Sequence, residues 1–147
     1  MNPSKHGVTG MALSSEEVQA FMDYLEDAMP VKGKVNQNGK EVEDTSVRDA
    51  DVYYIEHEAE NLYEILQKVA QMVNLYFKYE LTGIEKAQIL HYKSPSNGYN
   101  YHIDLDSNEK SISRKVSVSI ILNDDYEGGE ICFRTSETGT CQRPTAG

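Results

Sequence analysis

The sequence lacks the features that mark membrane-spanning, secreted and nucleic-acid-binding proteins. No apolar run approaches the length of about 18 residues that a membrane span needs, and the first ten residues contain no apolar core of a signal peptide. The formal net charge is −10 and Lys and Arg do not cluster, whereas a nucleic-acid partner needs a cationic surface. We therefore expect a cytoplasmic protein with no membrane and no nucleic-acid partner.

Cysteine and histidine are also scarce. The two cysteines, Cys132 and Cys141, do not form a CxxC motif, so they fit reduced thiols in a cytoplasmic chain and argue against a zinc site. Only four histidines are present, and none of them follows His102.

The composition and the length of the chain indicate one folded domain over residues 1–147. Hydrophobic residues make up 39% of the chain and ten residues are Tyr, which favours a globule over disorder. A chain of 147 residues is long enough to bury a core of its own.

Residues 1–83 are predicted to be a helical support. Ser14 and Glu17 have the spacing of a capping box that begins a helix, and Pro30 ends it. A second helix is predicted from Glu58 to about Tyr79, where apolar side chains recur every three to four residues and should pack against a sheet. These side chains are Leu62, Ile65, Leu66, Val69, Met72, Val73, Tyr76 and Phe77.

The rest of the chain favours strands. The polar stretch 32–49 contains Asn38-Gly39 and predicts a loop or a loose hairpin, and Gly128-Gly129 predicts a tight reversal. Helices followed by antiparallel strands indicate an α+β domain with helices packed on one face of a sheet. The predicted strands and extended segments are 51–55, 84–92, 99–104, 116–122 (buried on both faces) and 130–133.

The pair His102 and Asp104 is the strongest candidate site. Side chains two residues apart on an extended segment leave the same face, so one imidazole and one carboxylate can converge on a single ion. Together they supply two of the three ligands of the 2-His-1-carboxylate facial triad, which binds Fe(II). The alternative is a hydrogen-bonded pair at a strand end.

The surrounding pattern resembles a known family. From Gly98 the sequence runs GYNYHIDLD, then a charged loop, then RKVSVSIILNDDYEGGE and ICF. This order is similar to that of the 2-oxoglutarate and Fe(II)-dependent dioxygenases, in their prolyl 4-hydroxylase-like branch. The resemblance covers Gln88 to Phe133 well, and a looser likeness extends back to Val47.

The resemblance implies a fold, cofactors and residue roles. The fold would be a double-stranded β-helix, or jelly roll, whose first half lies in residues 84–147. His102 and Asp104 would bind Fe(II), and Tyr92 would hydrogen-bond the co-substrate 2-oxoglutarate, unless Tyr92 is an ordinary core residue. Such an enzyme uses O2, forms succinate and CO2, hydroxylates a C–H bond of a peptide or small-molecule substrate, and depends on ascorbate as reductant. No catalytic residue beyond the metal ligands is implied.

The chain also departs from the family pattern. In the family a second His follows the Gly-Gly-Glu turn, and an Arg or Lys on the next strand pairs with the far carboxylate of 2-oxoglutarate. This sequence reaches Gly147 without either, so we expect it to be the N-terminal portion of such a domain. Ile121 occupies a strand position where some relatives carry a Tyr that binds the co-substrate.

Other interpretations stay open at this point. A non-catalytic jelly-roll binding module, or an inactive fragment, would share the same cleft. A metal-dependent hydrolase would need more carboxylates near the ion. Tyr99 either lines the pocket mouth or packs in the core, and Arg114 either borders a substrate entrance or is a solvated side chain. His6, His57 and His91 are not expected to be ligands, and turn roles are expected for Asp106, Asp124 and Asp125.

Overall fold

The computed structural model describes residues 12–104, 114–134, 139–143 and 145–147. Two helices and seven short strands are assigned in this part of the chain. In chain order they are α1 Ser15–Asp27, β1 Val31–Lys32, β2 Lys34–Gln37, β3 Lys40–Glu43, β4 Asp51–Tyr54, α2 Glu60–Phe77, β5 Gln88–His91, β6 Ile131–Arg134 and β7 Gly139–Gln142.

These residues group into two compact units. One unit comprises the described residues of Asp23–Ser117, and the other comprises those of Met1–Met22 and Val118–Gly147. Within the described part of the chain, neither helix combines the length and the hydropathy that a membrane span requires.

The larger unit, Asp23–Ser117, is built around a three-stranded antiparallel sheet in the order β1-β4-β5. Strand β4 lies in the middle, with Val52 opposite Val31 on one side and Leu90 on the other. The Tyr63 hydroxyl of α2 donates to the Ile55 carbonyl at 2.9 Å and accepts from the Ala87 amide at 3.3 Å, which links the helix to the ends of β4 and β5. The buried apolar residues of this unit are Ala50, Val52, Ile55, Leu62, Val69 and Ile89.

The polar stretch between β1 and β4 forms a hairpin, one of the two predicted alternatives. Strands β2 and β3 pair in register from Lys34 opposite Glu43 to Gln37 opposite Lys40. Asn38 and Gly39 connect them with φ values of 55° and 78°. Two positive φ values in a two-residue connection define a tight turn whose twist matches that of the strands, so the Asn-Gly pair accounts for the reversal.

Helix α1 begins as the capping-box pattern predicts. The Ser14 amide donates to the Glu17 carboxylate at 2.7 Å, and the Glu17 amide donates to the Ser14 hydroxyl at 3.2 Å. These reciprocal bonds satisfy amide groups that the first turn of a helix leaves without partners. The helix ends at Asp27, three residues before Pro30.

Helix α2 departs from the prediction that its whole apolar stripe is core. Leu62 and Val69 are buried, but Met72, Leu75 and Tyr76 in the second half are exposed. The reason is geometric. An 18-residue helix is about 27 Å long, whereas the four-residue strands β4 and β5 extend for only about 13 Å. Even a helix aligned with these strands could have only about half of its length covered by the sheet.

The smaller unit contains the hairpin β6–β7. Its strands pair with Cys132 directly opposite Cys141, and the two cysteines form a disulfide bond. The expectation of reduced thiols is therefore wrong for this structure, because antiparallel pairing brings together two residues nine positions apart in sequence. Before β6, Gly128 and Gly129 have φ values of 74° and 70°, which glycine adopts without steric cost.

The predicted strand at 116–122 is not formed. Residues 114–130 have no regular secondary structure, and Val118 is 51% exposed rather than buried on both faces. A strand needs a neighbour for its amide and carbonyl groups, and within the described residues no partner strand runs beside this segment. The structure thus has mixed helices and small antiparallel sheets, and the partial jelly roll stays a prediction.

Candidate functional site

The loop that leads to His102 is fixed against residues 45–49 by backbone hydrogen bonds. The Asp49 amide donates to the Gly98 carbonyl at 2.8 Å, and the Asn100 amide donates to the Val47 carbonyl at 2.9 Å. Between these bonds, Arg48 and Tyr99 form an isolated antiparallel bridge. The backbone just before His102 is thereby held by a segment more than 50 residues earlier in the chain.

The imidazole of His102 has one nitrogen committed to the backbone. Its Nδ1 lies 2.7 Å from the Asn100 carbonyl oxygen. A carbonyl oxygen only accepts hydrogen bonds, so Nδ1 carries the proton and donates. In the neutral ring this leaves Nε2 with its lone pair free, which is the state of a metal-binding histidine whose other nitrogen bonds a carbonyl.

That free nitrogen faces Asp104. The distance from His102 Nε2 to Asp104 Oδ1 is 3.2 Å, and the side chains are 40% and 48% exposed. Two acceptor atoms this close are stabilised by a cation between them, either a proton on Nε2 or a metal ion bound by both. Two metal–ligand bonds of about 2.1 Å at a right angle place their donor atoms about 3.0 Å apart, which is close to the observed separation.

The two side chains meet without a regular strand. Residues 101 and 104 lie in bends and no strand is assigned from 99 to 104. Residues 101–104 are all exposed, and Ile103 between the two side chains is 81% exposed. The imidazole and the carboxylate thus meet in a loop rather than along one face of a strand.

Tyr99 supports the imidazole from one side. Its ring stacks on that of His102 with centroids 3.8 Å apart and an interplanar angle of 18°. The Arg48 guanidinium carbon lies 4.9 Å from the Tyr99 ring centroid, a cation–π contact of about 0.5–1 kcal/mol at a partly exposed site. The role of Tyr99 as a stacking partner of His102 was not predicted from the sequence. The reason is that the backbone of Tyr99 is positioned by its bridge with Arg48, and such a long-range pairing cannot be read from the local sequence.

Tyr92 directly follows β5 and is 41% exposed, so it is not a core residue. Burial raises the pKa of its hydroxyl, and the nearby positive charge of Arg48 opposes part of that rise. In its neutral form the phenol O–H can donate to a carboxylate.

Arg114 contacts both Glu85 and the main chain of Asp104. Its Nε and Nη2 donate to the two carboxylate oxygens of Glu85 at 3.0 and 2.6 Å. Its Nη1 donates to the main-chain carbonyl of Asp104 at 2.6 Å. This ion pair lowers the pKa of Glu85. The sequence did not predict Glu85, because the pairing joins residues 29 positions apart.

A second polar cluster lies on the sheet of the larger unit. Asp51 is buried, and its carboxylate oxygens accept from Lys32 at 2.6 Å and from Lys93 at 2.7 Å. The hydrogen bond from Lys32, then that from Lys93, lowers the pKa of Asp51 to about 2. The same groups, with Asp49 and His91, line an open cavity of about 90 Å³. Because both ammonium groups already pair with Asp51, the cluster's clearest role is to neutralise a buried charge.

Among the remaining predicted residues, those that the structure describes have contacts of their own. His57 stacks on Tyr63 with ring centroids 5.4 Å apart, and Asp125 accepts from the Asn123 side chain as a turn residue does. His6 and Asp106 lie outside the described residues. In the part of the chain that the structure describes, no group of three or more His, Cys, Asp or Glu side chains could hold one metal ion.

The donor atoms thus fit two positions of a facial triad, one imidazole nitrogen and one carboxylate oxygen. No protein-family model, curated protein or solved structure matches the chain.

Proposed function

We propose that the chain carries the first two metal ligands of a prolyl 4-hydroxylase-like, Fe(II)- and 2-oxoglutarate-dependent dioxygenase domain. The observation that carries the proposal is the 3.2 Å separation of His102 Nε2 and Asp104 Oδ1. The sequence pattern around these residues also supports the proposal, because a His-x-Asp pair precedes an alternating segment and a Gly-Gly-Glu turn.

In this proposal His102 and Asp104 bind the iron. When bound, Fe(II) supplies the activation of O2 that couples oxidation of 2-oxoglutarate to succinate and CO2 with hydroxylation of a substrate C–H bond. Ascorbate would keep the iron reduced.

The other side chains would orient the metal ligands and bind the co-substrate. The Asn100 carbonyl holds the proton of His102 on Nδ1, so Nε2 faces Asp104, and the Tyr99 ring limits rotation of the imidazole. The neutral Tyr92 hydroxyl would donate to a carboxylate of the co-substrate. We expect a peptide or small-molecule substrate that is not strongly acidic, since the chain has a net charge of −10.

Metal binding by the 147-residue chain tests the proposal. Mn(II) is a suitable probe because it has the charge and ligand preference of Fe(II) and is stable in air. We expect weak, saturable binding, measured as loss of the free Mn(II) EPR signal, because two protein ligands hold an ion less firmly than three. Asp104→Ala and His102→Ala should each abolish saturable binding.

His57→Ala is the matched control, since His57 lies apart from the pair and stacks on Tyr63. Its affinity for Mn(II) should equal that of the unaltered chain. Binding that survives Asp104→Ala unchanged would contradict the proposal. The absence of saturable binding in every variant would instead favour a non-catalytic binding module.

A further inference from the structure

The Arg114–Glu85 pair contacts Asp104 through the main chain, at a point that the metal-binding proposal does not use. The carboxylate of Asp104 faces His102, whereas its carbonyl oxygen accepts a 2.6 Å hydrogen bond from Arg114 Nη1. From this geometry we infer that Arg114, oriented by Glu85, is a positioning residue that fixes Asp104 for metal binding. The inference rests on the proposed function for its metal-binding consequence, but the restraint on Asp104 does not depend on a metal.

The guanidinium uses three of its N–H groups at once. Nε and Nη2 bind both oxygens of Glu85 side by side, and Nη1 is left pointing at the Asp104 carbonyl. A planar guanidinium paired with both oxygens of a carboxylate has its orientation set by that pair. Glu85 thereby determines where the third N–H points. A lysine ammonium could pair with Glu85 but has no rigid plane with which to reach both partners.

The position of the contact explains why it matters. Asp104 lies in a bend, outside any strand, so sheet hydrogen bonds do not hold its backbone. The bond to Arg114 restrains the peptide group that follows the Asp104 side chain and so limits rotation of the residue. Since the carboxylate and the imidazole are about half exposed, packing alone restrains them little. Arg114 and Glu85 would thus act on the metal site as outer partners that orient a ligand.

Two readouts test the inference in Arg114→Lys and Glu85→Gln. The first is the ¹⁵N order parameter of the Leu105 amide, whose N–H belongs to the peptide group of the Asp104 carbonyl, and of the Asp104 amide, in metal-free protein; it reports backbone motion on the picosecond to nanosecond timescale. The second is the dissociation constant for Mn(II). We expect lower order parameters at both amides and roughly tenfold weaker Mn(II) binding, the lower end of the effect of removing an outer partner.

Arg134→Lys, the same substitution at an exposed arginine at the end of β6, is the matched control and should change neither readout. The double variant Arg114→Lys/Glu85→Gln should weaken Mn(II) binding no more than either single change, because the two residues act as one unit. Thermal unfolding of each variant checks that it is folded.

The possible results distinguish a failure of the inference about Arg114 from a failure of the proposed function. Unchanged order parameters in both single variants would overturn the inference, as would lower order parameters with unchanged Mn(II) affinity. If the order parameters fall but the unaltered chain shows no binding that depends on Asp104, the restraint on Asp104 is upheld and the proposed function fails.

Discussion

Asp51 shows how one residue ties three strands together. Its backbone pairs with Lys32 in β1 and with His91 in β5, and its buried carboxylate accepts from Lys32 and Lys93. A buried carboxylate is tolerated only when such partners are present. The cluster therefore makes the sheet sensitive to the protonation of a single group.

The first prediction concerns this carboxylate. Its pKa in the folded chain is lowered from 3.8 to about 2, so its contribution to stability is fully present above pH 3.8 and is lost as the pH falls through about 2. Urea unfolding of the native chain and of Asp51→Asn should give a difference in free energy of unfolding that is constant above about pH 5 and shrinks toward pH 2.

Asp27→Asn makes the same chemical change at an exposed residue at the end of α1. It should not reproduce this dependence. A difference between the native chain and Asp51→Asn that stays the same from pH 6 to pH 2 would contradict the ion-pair account.

At the scale of elements, α2 provides an internal comparison between two leucines. Leu62 is fully buried, whereas Leu75, near the other end of the same helix, is 81% exposed. We expect Leu62→Ala to cost about 2–5 kcal/mol in free energy of unfolding, as buried Leu to Ala changes do. Leu75→Ala should stay within about 0.5 kcal/mol of the native chain. Chemical denaturation measures both, and equal effects would show that the second half of α2 is buried in solution.

The hairpin β6–β7 carries the next prediction. A disulfide that closes a loop of nine to ten residues should stabilise the oxidised chain by about 2–3 kcal/mol, mainly by restricting the unfolded state. Unfolding with and without a thiol reductant should show this difference, and Cys132→Ser/Cys141→Ser should be insensitive to the reductant. Thiol titration of the unfolded, unreduced chain should find no free thiol, and two free thiols would contradict the pairing. Disulfides are rare in the cytoplasm, so the result also bears on the expected location.

At the scale of the whole molecule, the proposed pair of metal ligands leads to a prediction about turnover. No His follows His102 in the sequence, and the described residues bring together two donors rather than three. Supplied with Fe(II), ascorbate and 2-oxoglutarate, the 147-residue chain should release no more succinate than its Asp104→Ala variant, as measured by mass spectrometry. Turnover clearly above that of the variant would show that the chain supplies a third ligand of its own.

The sequence alone determined the features that depend on neighbours a few residues apart. The capping box at Ser14 and Glu17, the turn at Asn38-Gly39 and the start of a helix after Glu58 follow from local backbone preferences and short hydrogen bonds. The proximity of His102 and Asp104 is only partly of this class. The two residues are near each other in sequence, but residues 99–104 form no strand and the loop before His102 is held by residues 45–49.

Tertiary structure decided what depends on long-range pairing. The stacking of Tyr99 on His102 and the contact of Glu85 with Arg114 join segments that the sequence separates, as does the burial of Asp51 between two lysines. The disulfide and the exposed half of α2 depend on strand register and strand length, which residue type does not fix. Local interactions are encoded within a few residues, whereas these contacts form only when segments distant in sequence pack together in the folded chain.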